Sequence, residues 1–216
     1  MGDHPITETP TRLDNRLWVL VLQHPREQKE SLATAGLALA MLRRGVLAVG
    51  LSWPNLAHAL GRPANPQRWA VLYLGAARPA ALGGATVVAL DRRGVPAADQ
   101  RAALKDLDGV VLLDGSWSEA KALWWRNPWL LKLRRLVLNP PQPSRWSRLR
   151  REPRREALST IEAAALVLGT LEGRSDISVA LDAALGRLVA AAPPPRPSGP
   201  RARSGRRSRL SPAPNH

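Results

Sequence analysis

The sequence predicts an α/β protein, with a mostly parallel β-sheet flanked by helices. Short apolar segments of strand length alternate with longer Ala- and Leu-rich segments of helix length. Most of the short segments are apolar throughout, which is typical of strands covered by helices on both faces. The chain has 216 residues, 44% of them hydrophobic, and can therefore bury one substantial core.

Six short segments, most of them apolar throughout, are predicted to be strands. They cover residues 17–22, 46–50, 69–75, 85–90, 109–114 and 134–139. Asp114 ends the fifth of these strands. In open α/β sheets ligands bind beyond the carboxyl ends of the strands, so this position is a candidate for a functional side chain.

Four helices are predicted over residues 31–44, 96–107, 156–173 and 176–192, and a Trp-rich helix is predicted to follow Asp114. Ser31 is a suitable N-cap for the first helix, which carries two arginines near its end. Pro96 suits the first turn of the second helix. The two C-terminal segments are helical by composition and spacing.

The chain divides into a lead-in at residues 1–16, one domain at residues 17–192 and a tail at residues 193–216. The tail combines Pro, Ser and Gly with six arginines and no acid, so we expect it to be disordered. Residues 1–16 contain no apolar signal core, and no apolar run reaches membrane length. We therefore expect a cytoplasmic protein without a membrane partner.

The charge is strongly positive: 32 Lys and Arg stand against 17 Asp and Glu, a net charge of +15. Nucleic acid is the commonest partner of such a chain. There is no cysteine and there are only four histidines, which excludes disulfides and thiolate zinc sites. We expect no bound metal.

The turn Asp114-Gly115-Ser116-Trp117 has two interpretations. Ser116 and Glu119 have the spacing of a capping box, in which case the turn only starts the next helix. Alternatively, Asp114 is held at the strand end as an acceptor for a proton or a polar ligand group, and Trp117 forms a wall of that pocket. The sequence leaves both open.

Two further segments carry similar alternatives. Ser159 and Glu162 form a second potential capping box, and a helix start of this kind suits a carboxylate or phosphate. Whether the two helix starts converge cannot be read from the sequence. His24 follows the first strand in QHPREQ and is either structural or catalytic.

A basic, Trp-rich segment spans residues 121–155. It holds eleven Lys and Arg against one acid, together with four of the eight tryptophans: Trp124, Trp125, Trp129 and Trp146. Guanidiniums neutralise phosphates and exposed indoles stack on bases, so we interpret the segment as an RNA surface. The RNA-binding candidates are Lys121, Arg126, Arg134, Arg135, Arg150, Arg151, Arg154 and Arg155. The alternative is that the tryptophans are core and the arginines a solvated face.

The motifs LDGSWSEAKALWWRNPWLLKLRRLVLNPP and LRREPRREALSTIEAAAL, with QHPREQ and LYLG, resemble those of the DTW-domain proteins. The resemblance covers about residues 17–173. That family contains tRNA-uridine aminocarboxypropyltransferases, and a related branch modifies ribosomal RNA. The resemblance implies a SPOUT-like, trefoil-knotted domain that uses S-adenosyl-L-methionine as co-substrate. The expected reaction transfers the 3-amino-3-carboxypropyl group to N3 of a uridine in tRNA and releases methylthioadenosine.

The resemblance also suggests roles for particular residues. Asp114, Ser116 and Trp117 are the catalytic candidates. The candidates for binding S-adenosylmethionine are Leu113, Trp117, Leu138, Asn139, Leu158, Ser159 and Thr160.

The chain departs from the family pattern at three points: Ser116 replaces Thr, Leu74 replaces an expected Pro, and a cysteine-rich zinc-binding segment is absent. Three other functions are compatible with the sequence. They are the same transfer to ribosomal RNA, an RNA methyltransferase, and a non-enzymatic RNA-binding protein in which the turn at Asp114 is merely a helix cap.

Overall fold

A computed structural model describes residues 12–29, 34–72, 82–144 and 158–191. Its sheet has six strands in the order β2-β1-β5-β3-β6-β4. They are β1 (Trp18–Gln23), β2 (Gly45–Val49), β3 (Trp69–Leu72), β4 (Val87–Leu90), β5 (Gly109–Asp114) and β6 (Arg134–Leu138). All neighbouring pairs are parallel except β4 with β6. The prediction of an α/β protein with a mostly parallel sheet is confirmed.

Helices cover both faces of the sheet. They are α1 (Thr34–Met41), α2 (Leu56–Leu60), α3 (Gln100–Leu104), α4 (Trp117–Arg126), α5 (Thr160–Glu172) and α6 (Ser175–Ala191). Short 3₁₀ segments occupy Pro25–Lys29, Pro66–Arg68 and Pro128–Lys132.

Alternate strand residues point to the two faces and form two separate cores. Val19, Val21 and Leu112 pack with α1, α5 and α6 on one face. Leu20, Leu22 and Val111 pack with α2, α4 and the 3₁₀ segment Pro128–Lys132 on the other. A side chain at a strand end therefore belongs to one face or the other according to its position in this alternation.

The strand predictions match the structure closely. β5 has the predicted bounds, and β1, β2 and β6 differ by one residue at their ends. β3 is described up to Leu72, and the predicted residues 73–75 lie outside the described residues. β4 begins two residues later than predicted, at Val87.

The predicted helix at residues 96–107 is much shorter than expected, because local hydrogen bonds hold its first residues in an extended conformation. Pro96 forms a bridge with Leu90, and the Ala97 N–H donates to the Ala89 carbonyl over 2.9 Å. The helix start is instead capped by Asp99, whose side chain accepts from the Ala102 N–H over 2.9 Å.

α1 also ends earlier than predicted, at Met41, because Leu42 forms a bridge with Leu13. Its predicted cap, Ser31, lies outside the described residues. α2 is absent from the predictions. It is a short helix between an Asn55 cap and Gly61, which has a left-handed φ of 73°.

The described residues of the predicted lead-in, 12–16, are tied to the domain. The N–H groups of Arg16 and Leu17 each donate to the Glu172 carboxylate over 2.9 Å. None of the helices in the described ranges is long and apolar enough to cross a membrane. The predicted tail at residues 193–216 lies outside the described residues.

Candidate active site

Asp114 lies at a crevice between two parallel strands whose onward connections diverge. It is the last residue of β5 and pairs in register with Gln23, the last residue of β1. From β1 the chain passes through α1 to β2 on one side, whereas from β5 it passes through α4 to β6 on the other. This divergence defines a topological switch point, the place where open α/β sheets bind ligands.

The Asp114 carboxylate is held by two donors from different elements. Gln23 Nε2 donates to Oδ2 over 2.8 Å, and the Thr160 hydroxyl at the start of α5 donates to Oδ1. All three side chains are buried, and Asp114 is only 8% exposed. The two hydrogen bonds fix the direction in which the carboxylate points. A fixed acceptor at a ligand crevice can receive a proton or a polar ligand group.

The turn after Asp114 depends on a glycine. Gly115 has a φ of +153°, and a Cβ at this position would lie 2.9 Å from Glu119 Cβ. Ser116 follows as the N-cap of α4. Its N–H and its hydroxyl both donate to Glu119 Oε2, over 2.9 and 2.7 Å. The predicted capping box is confirmed, and it coexists with the buried carboxylate of Asp114.

A second capping box starts α5. The Ser159 N–H and hydroxyl donate to Glu162 Oε2 over 2.8 and 2.7 Å, and the Ser144 hydroxyl reaches the same oxygen over 2.7 Å. Thr160, the next residue, is the one that contacts Asp114. The starts of α4 and α5 thus meet at Asp114 from opposite faces of the sheet, a convergence that the sequence could not reveal.

His24 contacts both the backbone of Asp114 and a side chain of α4. Its N–H donates to the Asp114 carbonyl over 2.9 Å, and its Nδ1 lies 3.5 Å from Glu119 Oε1. Burial raises the pKa of Glu119, but hydrogen bonds from Ser116 and the nearby His24 and Arg26 outweigh that effect. The pKa of Glu119 is therefore lower than usual, and the carboxylate stays ionised beside His24.

Several of the candidates for binding S-adenosylmethionine lie at the same edge of the sheet as Asp114. Leu138 ends β6 level with Asp114 and two strands away, about 10 Å at the usual strand spacing. Asn139 follows it, and its N–H donates to the Thr86 carbonyl over 2.9 Å. Leu158 precedes the α5 cap and is half-buried.

Two other candidates lie elsewhere around the turn. The Leu113 side chain packs against the core that Leu20, Leu22 and Val111 form with α4 (the α4 core), on the face opposite to the Asp114 carboxylate. Only its backbone adjoins the crevice. Trp117 is the first residue of α4 and is half-buried.

The basic candidates do not form one surface. Lys121 and Arg126 are exposed on α4. Arg134 lies at the amino end of β6, about 13 Å below the level of Asp114 along the strands, and donates to the Ala103 and Lys105 carbonyls at the end of α3. Arg135 beside it donates to the Arg92 carbonyl over 3.4 Å. The candidates Arg150, Arg151, Arg154 and Arg155 lie outside the described residues.

The tryptophans of this segment divide between core and surface. Trp129 is 6% exposed and belongs to the α4 core, against which Trp124 packs, whereas Trp125 is 76% exposed. Trp146 lies outside the described residues. The alternative that the tryptophans are core therefore holds for Trp129 and in part for Trp124, but not for the exposed Trp125.

Gln23 is the functional candidate that the sequence predictions missed. The signal for it in the sequence was a polar residue at the end of an otherwise apolar strand, on the same face as Val19 and Val21.

Among the described residues, no group of three or more His, Asp or Glu side chains is placed to hold a metal ion.

Comparison with known proteins identifies the family. A family model for the DTW domain matches residues 5–192. A relative from Drosophila melanogaster, named tRNA-uridine aminocarboxypropyltransferase 2, is 32% identical over 169 residues. The match covers 74% of this chain but 58% of the relative, so the chain spans less than two thirds of that protein's length. No solved structure matches the chain. Because the family model spans most of its length, the chain belongs to the DTW-domain family.

Proposed function

We propose that this protein transfers the 3-amino-3-carboxypropyl group of S-adenosyl-L-methionine to N3 of a uridine in tRNA. The observation that carries the proposal is the buried Asp114 carboxylate, oriented by Gln23 and Thr160 at the switch point of the sheet. Membership of the DTW family and the name of the Drosophila relative support this choice of reaction.

Asp114 acts as the general base. Uridine N3 carries a proton that must leave before the nitrogen can form a bond to carbon. A carboxylate within hydrogen-bond reach accepts that proton, or orients the uracil edge as it leaves. S-adenosylmethionine supplies the electrophilic carbon: the N3–Cγ bond forms as the Cγ–S bond breaks, and methylthioadenosine departs with the bonding electrons. Since methyl transfer from the same sulfonium is equally conceivable, the outcome depends on positioning.

The residues along the carboxyl edge suit the co-substrate. The start of α5 at Leu158, Ser159 and Thr160 meets the crevice through Thr160, and Leu138 and Asn139 lie at the same edge of the sheet, two strands from Asp114. A helix start presents unpaired N–H groups that suit the carboxylate of a methionine chain. Trp117, the first residue of α4, forms a wall of the pocket in this proposal, and Ser116 contributes by holding the turn through Glu119.

The exposed basic residues on α4 support an RNA partner. Lys121 and Arg126 lie on the helix that begins at the Asp114 turn, and Trp125 offers an exposed indole beside them. We include Arg150, Arg151, Arg154 and Arg155 in the RNA surface on charge alone. Arg134 and Arg135 are the weakest members, because both donate to backbone carbonyls at the other edge of the sheet.

The SPOUT-like, trefoil-knotted topology is also retained as a proposal. Its support is the family membership and the insertion of β5 between β1 and β3 in a mostly parallel sheet. An experimental structure tracing residues 145–157 tests it, and an unknotted path would remove this part of the proposal.

The experiment that tests the reaction identifies the by-product. The purified protein is incubated with S-adenosylmethionine and unmodified tRNA, and small molecules and digested nucleosides are analysed by mass spectrometry. We expect methylthioadenosine together with an aminocarboxypropyl-uridine. Adenosylhomocysteine would instead indicate a methyltransferase. No by-product with either tRNA or ribosomal RNA would contradict the transferase proposal and favour a non-enzymatic RNA-binding protein.

A further inference from the structure

A pocket of about 520 Å³ lies beside the Asp114 turn, between the loop after β1 and helix α4. It is distinct from the crevice that holds the Asp114 carboxylate, which is on the α5 face. Two of its lining residues also contact the turn after β5. The His24 N–H donates to the Asp114 carbonyl, and Glu119 accepts from Ser116, the N-cap of α4. The lining residues are His24, Pro25, Arg26, Leu51, Ser118, Glu119, Ala122 and Arg126.

The described lining of the pocket carries more positive than negative charge. Arg26 and Arg126 are both exposed, and within the described part of the chain neither guanidinium has a carboxylate within 4.0 Å. Glu119 is the one carboxylate among the described lining residues, and it is already engaged. Its Oε2 accepts two hydrogen bonds from Ser116, and its Oε1 faces His24. An anionic ligand therefore meets two guanidiniums that have no carboxylate within 4.0 Å, although Arg26 already interacts with Glu119 over a longer distance, and a carboxylate whose charge is partly satisfied.

We propose that this pocket binds a backbone phosphate of the acceptor RNA, next to the nucleotide that reacts at Asp114. The inference rests on the proposed function and specifies which part of the RNA is held beside the reacting base. Guanidiniums bind phosphate oxygens through paired hydrogen bonds, which fix position as well as adding affinity.

The proposed reaction requires the RNA backbone to be held beside the reacting uridine. Uridine N3 lies on the Watson–Crick edge, so the acceptor must be unpaired and turned towards the protein. The flanking backbone then has to be held in a bent path close to the reacting nucleotide. A phosphate site on the other side of the same turn meets this requirement, and the volume lies within the range of about 300–1,000 Å³ that small-ligand pockets show.

The lining also offers contacts for the attached sugar. Leu51, Pro25 and Ala122 provide apolar surface, and the Ser118 hydroxyl is exposed near the start of α4. These residues are neutral, so they add no charge to the pocket that a bound nucleotide would have to balance. The site would therefore hold RNA without reading its sequence, as phosphate contacts generally do.

The test compares two double variants of the full chain. Arg26→Ala/Arg126→Ala removes both pocket guanidiniums. Arg101→Ala/Arg187→Ala removes two exposed arginines from α3 and α6, and is the matched control for the change in net charge. The affinity for an unmodified tRNA transcript is measured by fluorescence anisotropy over a series of salt concentrations. Thermal unfolding of both variants checks that the fold is intact.

We expect the pocket variant to bind the transcript roughly 10-fold more weakly than the control, with a salt dependence reduced by the equivalent of about one phosphate contact. Equal affinity and equal salt slope for the two variants would overturn the proposal.

Methylthioadenosine release, measured in parallel, separates the two proposals. Release by the wild-type protein together with equal RNA binding by the two variants would overturn the pocket proposal alone. No release from the wild type with either tRNA or ribosomal RNA, with tRNA affinity lost only in the pocket variant, would contradict the transferase and support the phosphate site.

Discussion

Gln23 and Asp114 end neighbouring parallel strands in register, and Gln23 Nε2 donates to Asp114 Oδ2 over 2.8 Å. The contact follows from the alternation of side chains, which places Val19, Val21 and Gln23 on the same face as Leu112 and Asp114. An apolar residue at position 23 would leave one oxygen of the buried carboxylate without this donor. Gln23 is thus a positioning residue for the proposed base.

Removing either donor to Asp114 should slow turnover without preventing binding of the co-substrate. A hydrogen bond to a charged group contributes about 1.5–3 kcal/mol, so we expect Gln23→Leu and Thr160→Val each to lower kcat roughly 10-fold or more. Thr160→Ser keeps the hydroxyl and should retain most of the activity. The measurement is kcat for methylthioadenosine release beside the Kd of S-adenosylmethionine. An equal fall in kcat for Thr160→Val and Thr160→Ser would show that turnover does not depend on the hydroxyl of residue 160.

Gly115 is required by the backbone of the turn. The Gly115→Ala variant places a Cβ 2.9 Å from Glu119 Cβ at a positive φ, so we expect destabilisation of about 1–3 kcal/mol. Gly186→Ala in α6 is the control, because its added Cβ meets no atom within 4 Å and should stabilise the helix slightly. Chemical denaturation measures both. A Gly115→Ala protein as stable as the wild type would refute the steric account of this turn.

Glu119 should make stability depend on pH under acidic conditions. Its pKa is below the usual 4.5 in the folded protein, because hydrogen bonds from Ser116 and the nearby His24 and Arg26 outweigh the opposing effect of burial. A lowered folded pKa stabilises the fold above the unfolded value, and this contribution is lost as pH falls through the folded value. The free energy of unfolding should therefore fall more steeply from about pH 5 downwards in the wild type than in Glu119→Gln. Parallel curves for the two proteins would contradict this assignment.

The two tryptophans Trp125 and Trp129 should separate binding from stability. Trp125 is 76% exposed, so Trp125→Ala should leave the melting temperature nearly unchanged. Stacking on a base contributes about 1–3 kcal/mol, and the same variant should bind tRNA several-fold more weakly. Trp129 is buried and its Nε1 donates to the Trp53 carbonyl over 3.0 Å, so Trp129→Ala should cost about 3–5 kcal/mol of stability. Unchanged RNA affinity in Trp125→Ala would remove this indole from the RNA surface.

The sequence predicted individual elements better than the relations between them. The strand ending at Asp114 was placed correctly because an apolar run bounded by Gly109 and the Gly115 turn has an unambiguous pattern. The helix at residues 96–107 was overextended, since Pro96 equally suits the extended segment that pairs with Leu90. Propensity alone does not distinguish these two uses of proline.

In the candidate site, too, local sequence patterns identified single residues but not the contacts between distant ones. Asp114, Ser116 and Ser159 were identifiable from local spacing, and both capping boxes are present. The role of Gln23 depends on β1 pairing with β5, a contact between residues far apart in the chain, so no local pattern indicates it. The location of Arg134 at the opposite edge of the sheet likewise follows only from strand direction.

The most direct test of the account is turnover of Asp114→Asn, which removes the charge and keeps the shape of the side chain. Methylthioadenosine release from S-adenosylmethionine and unmodified tRNA is compared with that of the wild-type protein, alongside co-substrate affinity and thermal unfolding. We expect kcat to fall by about 10²–10⁴-fold, the usual contribution of a general base, while the co-substrate Kd is unchanged. Wild-type turnover in Asp114→Asn would contradict the assignment of this carboxylate as the base.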